Sequence, residues 1–89
     1  MLVYHQRVSE FIESFGSKLE PSDFAFLREL VDNNENEVAL VNLAWLAHSG
    51  KFTMPSPDRE RLLELGSGLI DPNDLPPGFM GESRTRVPD

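Results

Sequence analysis

One segment of the chain is hydrophobic on almost every side when it is read as a helix. Within residues 38–47, VALVNLAWLA, only Asn42 is polar. A helix that is apolar all round has to be covered on several sides, so this segment predicts the central helix of a small bundle. The alternative is a surface helix whose extra apolar residues contact a partner, because a short chain has few helices with which to cover it. The exposure of Trp45 separates these two interpretations.

The remaining sequence predicts how the chain is organised around that segment. A chain of 89 residues is long enough for one domain with a modest core. We expect an all-α bundle of about four helices over residues 1–70, followed by a Pro/Gly-rich C-terminal segment over residues 71–89 that is partly extended or disordered. Four apolar side chains are expected to pack back onto the bundle before a tail begins near Gly81: Leu69, Ile70, Leu75 and Phe79.

Apolar periodicity and turn residues place the four helices. They are expected at about residues 2–15, 21–32, 35–49 and 57–65. The first presents one apolar stripe to the core, made of Tyr4, Val8, Phe11, Ile12 and Phe15. Asn34 with Glu37 resembles a capping arrangement for the third helix, and Ser56 before Pro57 predicts a cap for the fourth. His48 and Gly50 are typical of a helix C-terminus.

The charge balance restricts the class of partner. Fifteen acidic residues against eight basic ones give a formal charge of -7, which opposes binding to nucleic acid, because phosphate contacts require Lys and Arg. The balance favours a basic partner or simple solubility. We expect no membrane partner and a cytoplasmic location, because the N-terminus lacks a leader pattern and no run of apolar residues reaches the length of a membrane span.

The search for chemical motifs is negative. The sequence has no Cys and no GxGxxG, GxxxxGK or HExxH motif. Pairs of acids such as Glu10 with Glu13 need a desolvated pocket before they can act as general acid and base, and exposed helices do not provide one. The sequence therefore predicts a protein that is not an enzyme, with no catalytic residue, no metal site and no cofactor.

The predicted contact with a partner lies at the entrance to the third helix. Negative charges and amides are concentrated there, and two further acids lie on the first helix if that helix runs alongside. The predicted contact residues are Asp32, Glu35, Asn36, Glu37, Glu10 and Glu13. Each of these acids is also compatible with a surface that is only solvated. Tyr4 or Phe79 would serve as an aromatic anchor if either proved exposed.

A set of these residues resembles a known family. Asn36-Glu37, Ala39-Leu40, Asn42-Leu43, Leu46 and Gly50, followed by a short extended piece ending near Pro55 and a Leu-rich helix, look like the small helical immunity proteins of bacterial toxin systems, particularly the MafI-type family. The similarity covers roughly residues 21–66. It implies a cytosolic antidote that binds a cognate toxin domain and blocks its active site or substrate access. Many such toxins are nucleases with basic substrate channels, which an acidic partner would complement.

A second interpretation of the chain does not involve a toxin. The apolar excess of the third helix also predicts a small interaction or regulatory module that associates with itself, with a homodimer as the possible assembly. A concentration-dependent dimer with Trp45 in its interface would favour this alternative.

Overall fold

The structure, a computed structural model, describes residues 2–79 and is all-α in that range. Its elements are α1 (Leu2–Glu13), α2 (Pro21–Asp32), α3 (Asn36–His48), α4 (Ser56–Leu65) and a short 3₁₀ helix (Pro72–Asp74). The described residues contain no strand. The predicted fold class, a small bundle of about four helices, is confirmed, and the predicted helix bounds agree with the observed ones to within two residues.

The first three helices run up, down and up. The turn after α1 lies close to the start of α2. A β-carbon built onto Gly16 in this turn would be only 3.3 Å from the ring of Phe24. Further along the two helices, Arg28 Nη1 of α2 donates a hydrogen bond to Ser9 Oγ of α1 at 2.8 Å. α3 then packs against both α1 and α2, while α4 packs against α1. One end of the bundle therefore gathers the start of α1, the end of α2 and the start of α3.

All four helices contribute to one hydrophobic core. The largest side chains that are completely inaccessible to solvent are Phe15, Ile12, Leu27, Leu40, Leu43, Leu62, Val8 and Val31. Phe15 lies just past the end of α1. The centre of its ring is 5.2 Å from the ring centres of both Phe11 and Phe52. The predicted apolar stripe of the first helix is confirmed as core, except that Tyr4 is only half-buried.

The turn between α2 and α3 closes by backbone hydrogen bonds. The amide of Asn34 donates to the Val31 carbonyl at 2.9 Å, and the amide of Glu35 donates to the Leu30 carbonyl at 2.8 Å. Asn34 has a φ of 65°, and Asn tolerates this left-handed conformation better than most residues do. The predicted cap from Asn34 is wrong, because Glu35 precedes the helix and no side chain caps it. Asn34 ends one helix rather than starting the next.

The start of α4 also differs from the prediction. Pro55 occupies the position before the helix, Ser56 is already its first residue, and no side chain caps this end. The end of α3 follows the prediction. Gly50 has a φ of 84°, and the amide of Lys51 donates to the Leu46 carbonyl at 3.0 Å, which is the hydrogen-bond pattern of a glycine-terminated helix.

α3 is central to the bundle but is not covered on every side. Its inner face is packed against α1 and α2 and buries Asn36, Ala39, Leu40, Leu43 and Ala44. Its outer face remains open to solvent: Val38 is 44% exposed and Trp45 is 41% exposed. The helix is thus covered on several sides, as expected, but this one face stays open, because a bundle of this size has no further helix to place there.

Residues 71–79, which we call the strap, pack back onto the bundle. Leu75 and Phe79 are buried, as predicted, whereas Leu69 just before the strap is 55% exposed, contrary to prediction. The indole Nε1 of Trp45 donates to the Asp74 carbonyl at 2.8 Å and holds the strap against α3. The division into a body (1–70) and a C-terminal segment (71–89) stays a prediction, and the tail expected from Gly81 onward lies outside the described residues.

Candidate functional site

The predicted contact residues form two groups, one on α1 and one around the α2–α3 turn. Glu10 and Glu13 are exposed on α1, which does run alongside α2. Asp32, the last residue of α2, and Glu35, in the turn that follows, are also exposed. Glu37, in the first turn of α3, is half-buried. Asn36 is different: only 5% of it is exposed, and its Nδ2 atom donates to Asn34 Oδ1 at 3.4 Å. The Asn36 side chain is therefore buried beneath the turn. We no longer count Asn36 among the residues that contact a partner.

Arg28 joins the two sides of this acidic surface. Its Nη1 atom lies 3.2 Å from Glu13 Oε2 and donates to Ser9 Oγ at 2.8 Å, while its Nη2 atom lies 3.2 Å from Asp32 Oδ1. Surface ion pairs of this kind contribute only about 0–1 kcal/mol each to stability. The larger consequence is electrostatic, because the guanidinium is already engaged by two carboxylates of the chain itself.

The sequence around this surface is also acidic. Arg28 is the only Lys or Arg between Lys18 and Lys51. Over that stretch lie six acids: Glu20, Asp23, Glu29, Asp32, Glu35 and Glu37. Charges of one sign on a surface raise the local concentration of oppositely charged partners and speed their association. The α2–α3 surface is therefore suited to a cationic partner.

Tyr4 of α1 lies within electrostatic range of Glu37 at the start of α3. Burial raises the pKa of the Tyr4 phenol above its ordinary value of 10.0, and the nearby Glu37 carboxylate raises this pKa further. Tyr4 packs against the core and Phe79 is buried, so neither predicted aromatic anchor stands free on the surface. The Tyr4 phenol therefore lies near the Glu37 carboxylate, but its hydroxyl finds no hydrogen-bond partner among the described residues.

Titration of Tyr4 tests this arrangement directly, because the chain contains one tyrosine. The folded state holds the phenolic proton above pH 10, where the unfolded chain releases it. The contribution of Tyr4 to the free energy of unfolding is therefore constant below pH 10 and is lost as the pH rises through the folded pKa. We expect Glu37→Gln to lower the folded pKa partway toward 10, because burial still acts on the phenol.

The measurement is the ultraviolet absorbance of tyrosinate against pH for the folded protein. Glu35→Gln, which removes an exposed carboxylate two residues away, is the control and should leave the Tyr4 titration in place. An unchanged titration midpoint in Glu37→Gln would show that the carboxylate does not act on the phenol.

The surface feature that the contact prediction missed is the outer face of α3. Among the described residues, the large hydrophobic side chains with the greatest exposure are Phe26, Val38, Trp45 and Leu69. Val38 and Trp45 share one helical face, with half-buried Val41 and Asn42 between them. The signal was present in the sequence, because a helix apolar all round in a chain with so few helices leaves one face without cover.

One cleft between α4 and the strap has a volume of about 220 Å³ and is lined mainly by apolar residues, among them Leu62, Leu63, Ile70 and Leu75, with no titratable group. Within residues 2–79 no three His, Asp or Glu side chains are placed to hold a metal ion. The absence of an enzymatic role stays a prediction.

Comparisons with known proteins leave the family open. No family model matches the chain, and no curated protein or solved structure matches it either. The resemblance to immunity proteins consequently stays a prediction from the residues that carry it. In the described part of the chain, no helix combines the length and the apolar character that crossing a membrane requires.

Proposed function

We propose that this protein is an immunity protein of the cytoplasm, which binds a cognate bacterial toxin domain and neutralises it. The observation that carries the proposal is the acidic α2–α3 surface, whose one arginine, Arg28, is already engaged by Glu13 and Asp32. A toxin that acts on nucleic acid needs a basic channel for phosphates, and an acidic surface of this kind occludes such a channel by imitating the substrate's charge.

The contact is assigned to the five predicted carboxylates, two of which, Glu13 and Asp32, also pair with Arg28. Asp32 ends α2, Glu35 lies in the turn, half-buried Glu37 follows it, and Glu10 and Glu13 add negative charge along α1. Carboxylates accept bidentate hydrogen bonds from Arg, which are stronger than hydrogen bonds between neutral groups. Long-range attraction speeds the encounter, so the association rate constant should fall steeply as salt is added.

The test begins with identification of the partner. The whole chain serves as bait in a lysate of the cells that produce it, and each captured protein is then expressed alone and together with the chain. We expect one basic protein that arrests growth when it is expressed alone and is harmless when the chain is present. Replacing Asp32, Glu35 and Glu37 together by Lys should abolish this protection, because three attractive contacts become repulsive.

A matched variant controls for net charge. Asp58, Glu60 and Glu64 lie on α4, and their joint replacement by Lys changes the charge of the protein equally. This control should protect as well as the original chain, and circular dichroism should show that both variants are folded. Equal protection by the two triple variants would remove the acidic turn from the contact. Capture of no growth-arresting protein would contradict the antidote function itself.

A second candidate function is favoured by the exposure of Val38 and Trp45. In this reading the chain is a small regulatory module that forms a homodimer through the outer face of α3. Sedimentation equilibrium over a range of protein concentrations distinguishes the two. A dimer that Val38→Lys dissociates would favour the module, and a monomer at all concentrations would exclude it.

A further inference from the structure

We infer that the outer face of α3 anchors a basic, amphipathic segment of the partner. This inference rests on the proposed function, because it names the surface and the chemistry of the same binding event. The anchor consists of Val38, Val41 and Trp45, which recur at helical spacing and form one apolar stripe. An amphipathic helix laid along such a stripe buries its own apolar side chains against it.

Two contacts within the chain fix the orientation of the Trp45 side chain. Its indole N–H is satisfied by the Asp74 carbonyl at 2.8 Å, and its ring meets His48 edge to face with 5.5 Å between ring centroids. With this N–H paired, 41% of the residue stays exposed. A side chain whose rotamer is already fixed loses little conformational entropy when a partner covers it. Tryptophan is also among the residues that contribute most to protein interfaces.

Acidic residues flank this apolar stripe at both ends. Glu35 and Glu37 lie at the start of α3, and Asp71 and Asp74 lie on the strap that reaches Trp45. Neither the stretch from residue 29 to 50 nor the strap contains Lys or Arg. An apolar centre with a rim of one charge is complementary to a segment that carries apolar residues flanked by Lys and Arg.

The same charges argue against a second copy of the chain as the occupant. Two outer faces brought together would place the acids of one rim near those of the other. Each chain also carries a formal charge of -7, so association works against the repulsion of the whole molecules. A cationic partner relieves this repulsion, whereas a homodimer increases it.

Trp45 is the only tryptophan of the chain, so its fluorescence reports on this face alone. The probe is a synthetic amphipathic helix of leucine and lysine, titrated into the intact protein. We expect a saturable shift of the Trp45 emission to shorter wavelength. A peptide with glutamate in place of lysine should not bind, and one with serine in place of leucine should bind about tenfold more weakly.

Matched variants locate the contact. Val38→Lys should weaken binding of the leucine–lysine peptide about tenfold, whereas Phe26→Lys, at a comparably exposed position of α2, should leave it within about twofold. Asp71→Asn with Asp74→Asn tests the rim without altering the apolar stripe, and Glu60→Gln with Glu64→Gln is its control on α4. Equal effects of Val38→Lys and Phe26→Lys, or equal binding of the glutamate peptide, would overturn the inference. So would a homodimer that Val38→Lys dissociates.

Protection against the captured toxin separates this inference from the proposed function. If Val38→Lys protects cells as well as the original chain, the toxin contact lies elsewhere and the inference fails while the antidote function stands. If no toxin is captured but the leucine–lysine peptide binds with the expected pattern, the surface stands as a site for basic segments and the antidote function fails.

Discussion

Leu43→Ala is expected to lower the free energy of unfolding by about 3 kcal/mol. Leu43 is completely inaccessible to solvent and lies on the inner face of α3, between α1 and α2. Removing its side-chain carbons loses their transfer free energy and leaves a cavity that the neighbouring helices fill only in part. Domains of this size are stabilised by only about 5–15 kcal/mol, so the loss is a large share of the total.

Urea denaturation followed by circular dichroism measures the effect. Val38→Ala on the same helix is the control, because Val38 is 44% exposed and its truncation should change stability by no more than about 0.5 kcal/mol. A similar small change for Leu43→Ala would mean that the inner face of α3 is not packed as described.

Phe79→Ala is expected to destabilise the protein by about 3 kcal/mol and to release the strap. Phe79 is only 8% exposed, and the Arg59 guanidinium lies 6.0 Å from the centre of its ring. The buried residues of the strap are Leu75, Pro76 and Phe79, and Phe79 is the largest of them, so losing its ring removes much of the strap's apolar contact with the bundle. Release would break the hydrogen bond from Trp45 to Asp74 and move the Trp45 emission to longer wavelength.

Thermal unfolding and fluorescence emission together test this expectation. Leu69→Ala, just before the strap at a side chain that is 55% exposed, is the control and should change neither measurement. If Phe79→Ala alters the Trp45 emission and leaves the unfolding midpoint unchanged, residues 1–70 are stable without the strap and the predicted domain boundary is right. If both change together, the strap is part of the folded domain.

The helices could be predicted because local patterns specify them. Pro21 at the first turn and the left-handed Asn34 bound α2, and the predicted range 21–32 coincides with the observed helix. The capping predictions failed at Asn34 and Ser56 for a local reason. Both residues have side chains that favour the N-cap position, but in the structure the backbone turns into the helix at a different residue. Glu35 and Pro55 occupy those positions instead.

The acidic site could be predicted only in part. Composition identified the carboxylates around the α2–α3 turn, but it did not show that Arg28 of α2 reaches Glu13 on α1. It also assigned Asn36 to the surface, although packing places this residue under the turn. Contacts between residues that are distant in sequence depend on how the helices pack, and periodicity along one helix does not specify that packing.

By itself, the sequence determined that this chain is a small acidic bundle of four helices, because apolar spacing, Pro, Gly and Asn act over a few residues. Tertiary structure alone decided which face of α3 stays open. Periodicity shows α3 as apolar all round, and only the packing of α1, α2 and the strap determines that Leu43 is covered while Val38 and Trp45 are not. The reason is geometric: a bundle this small covers one side of its most hydrophobic helix and leaves the other open to solvent.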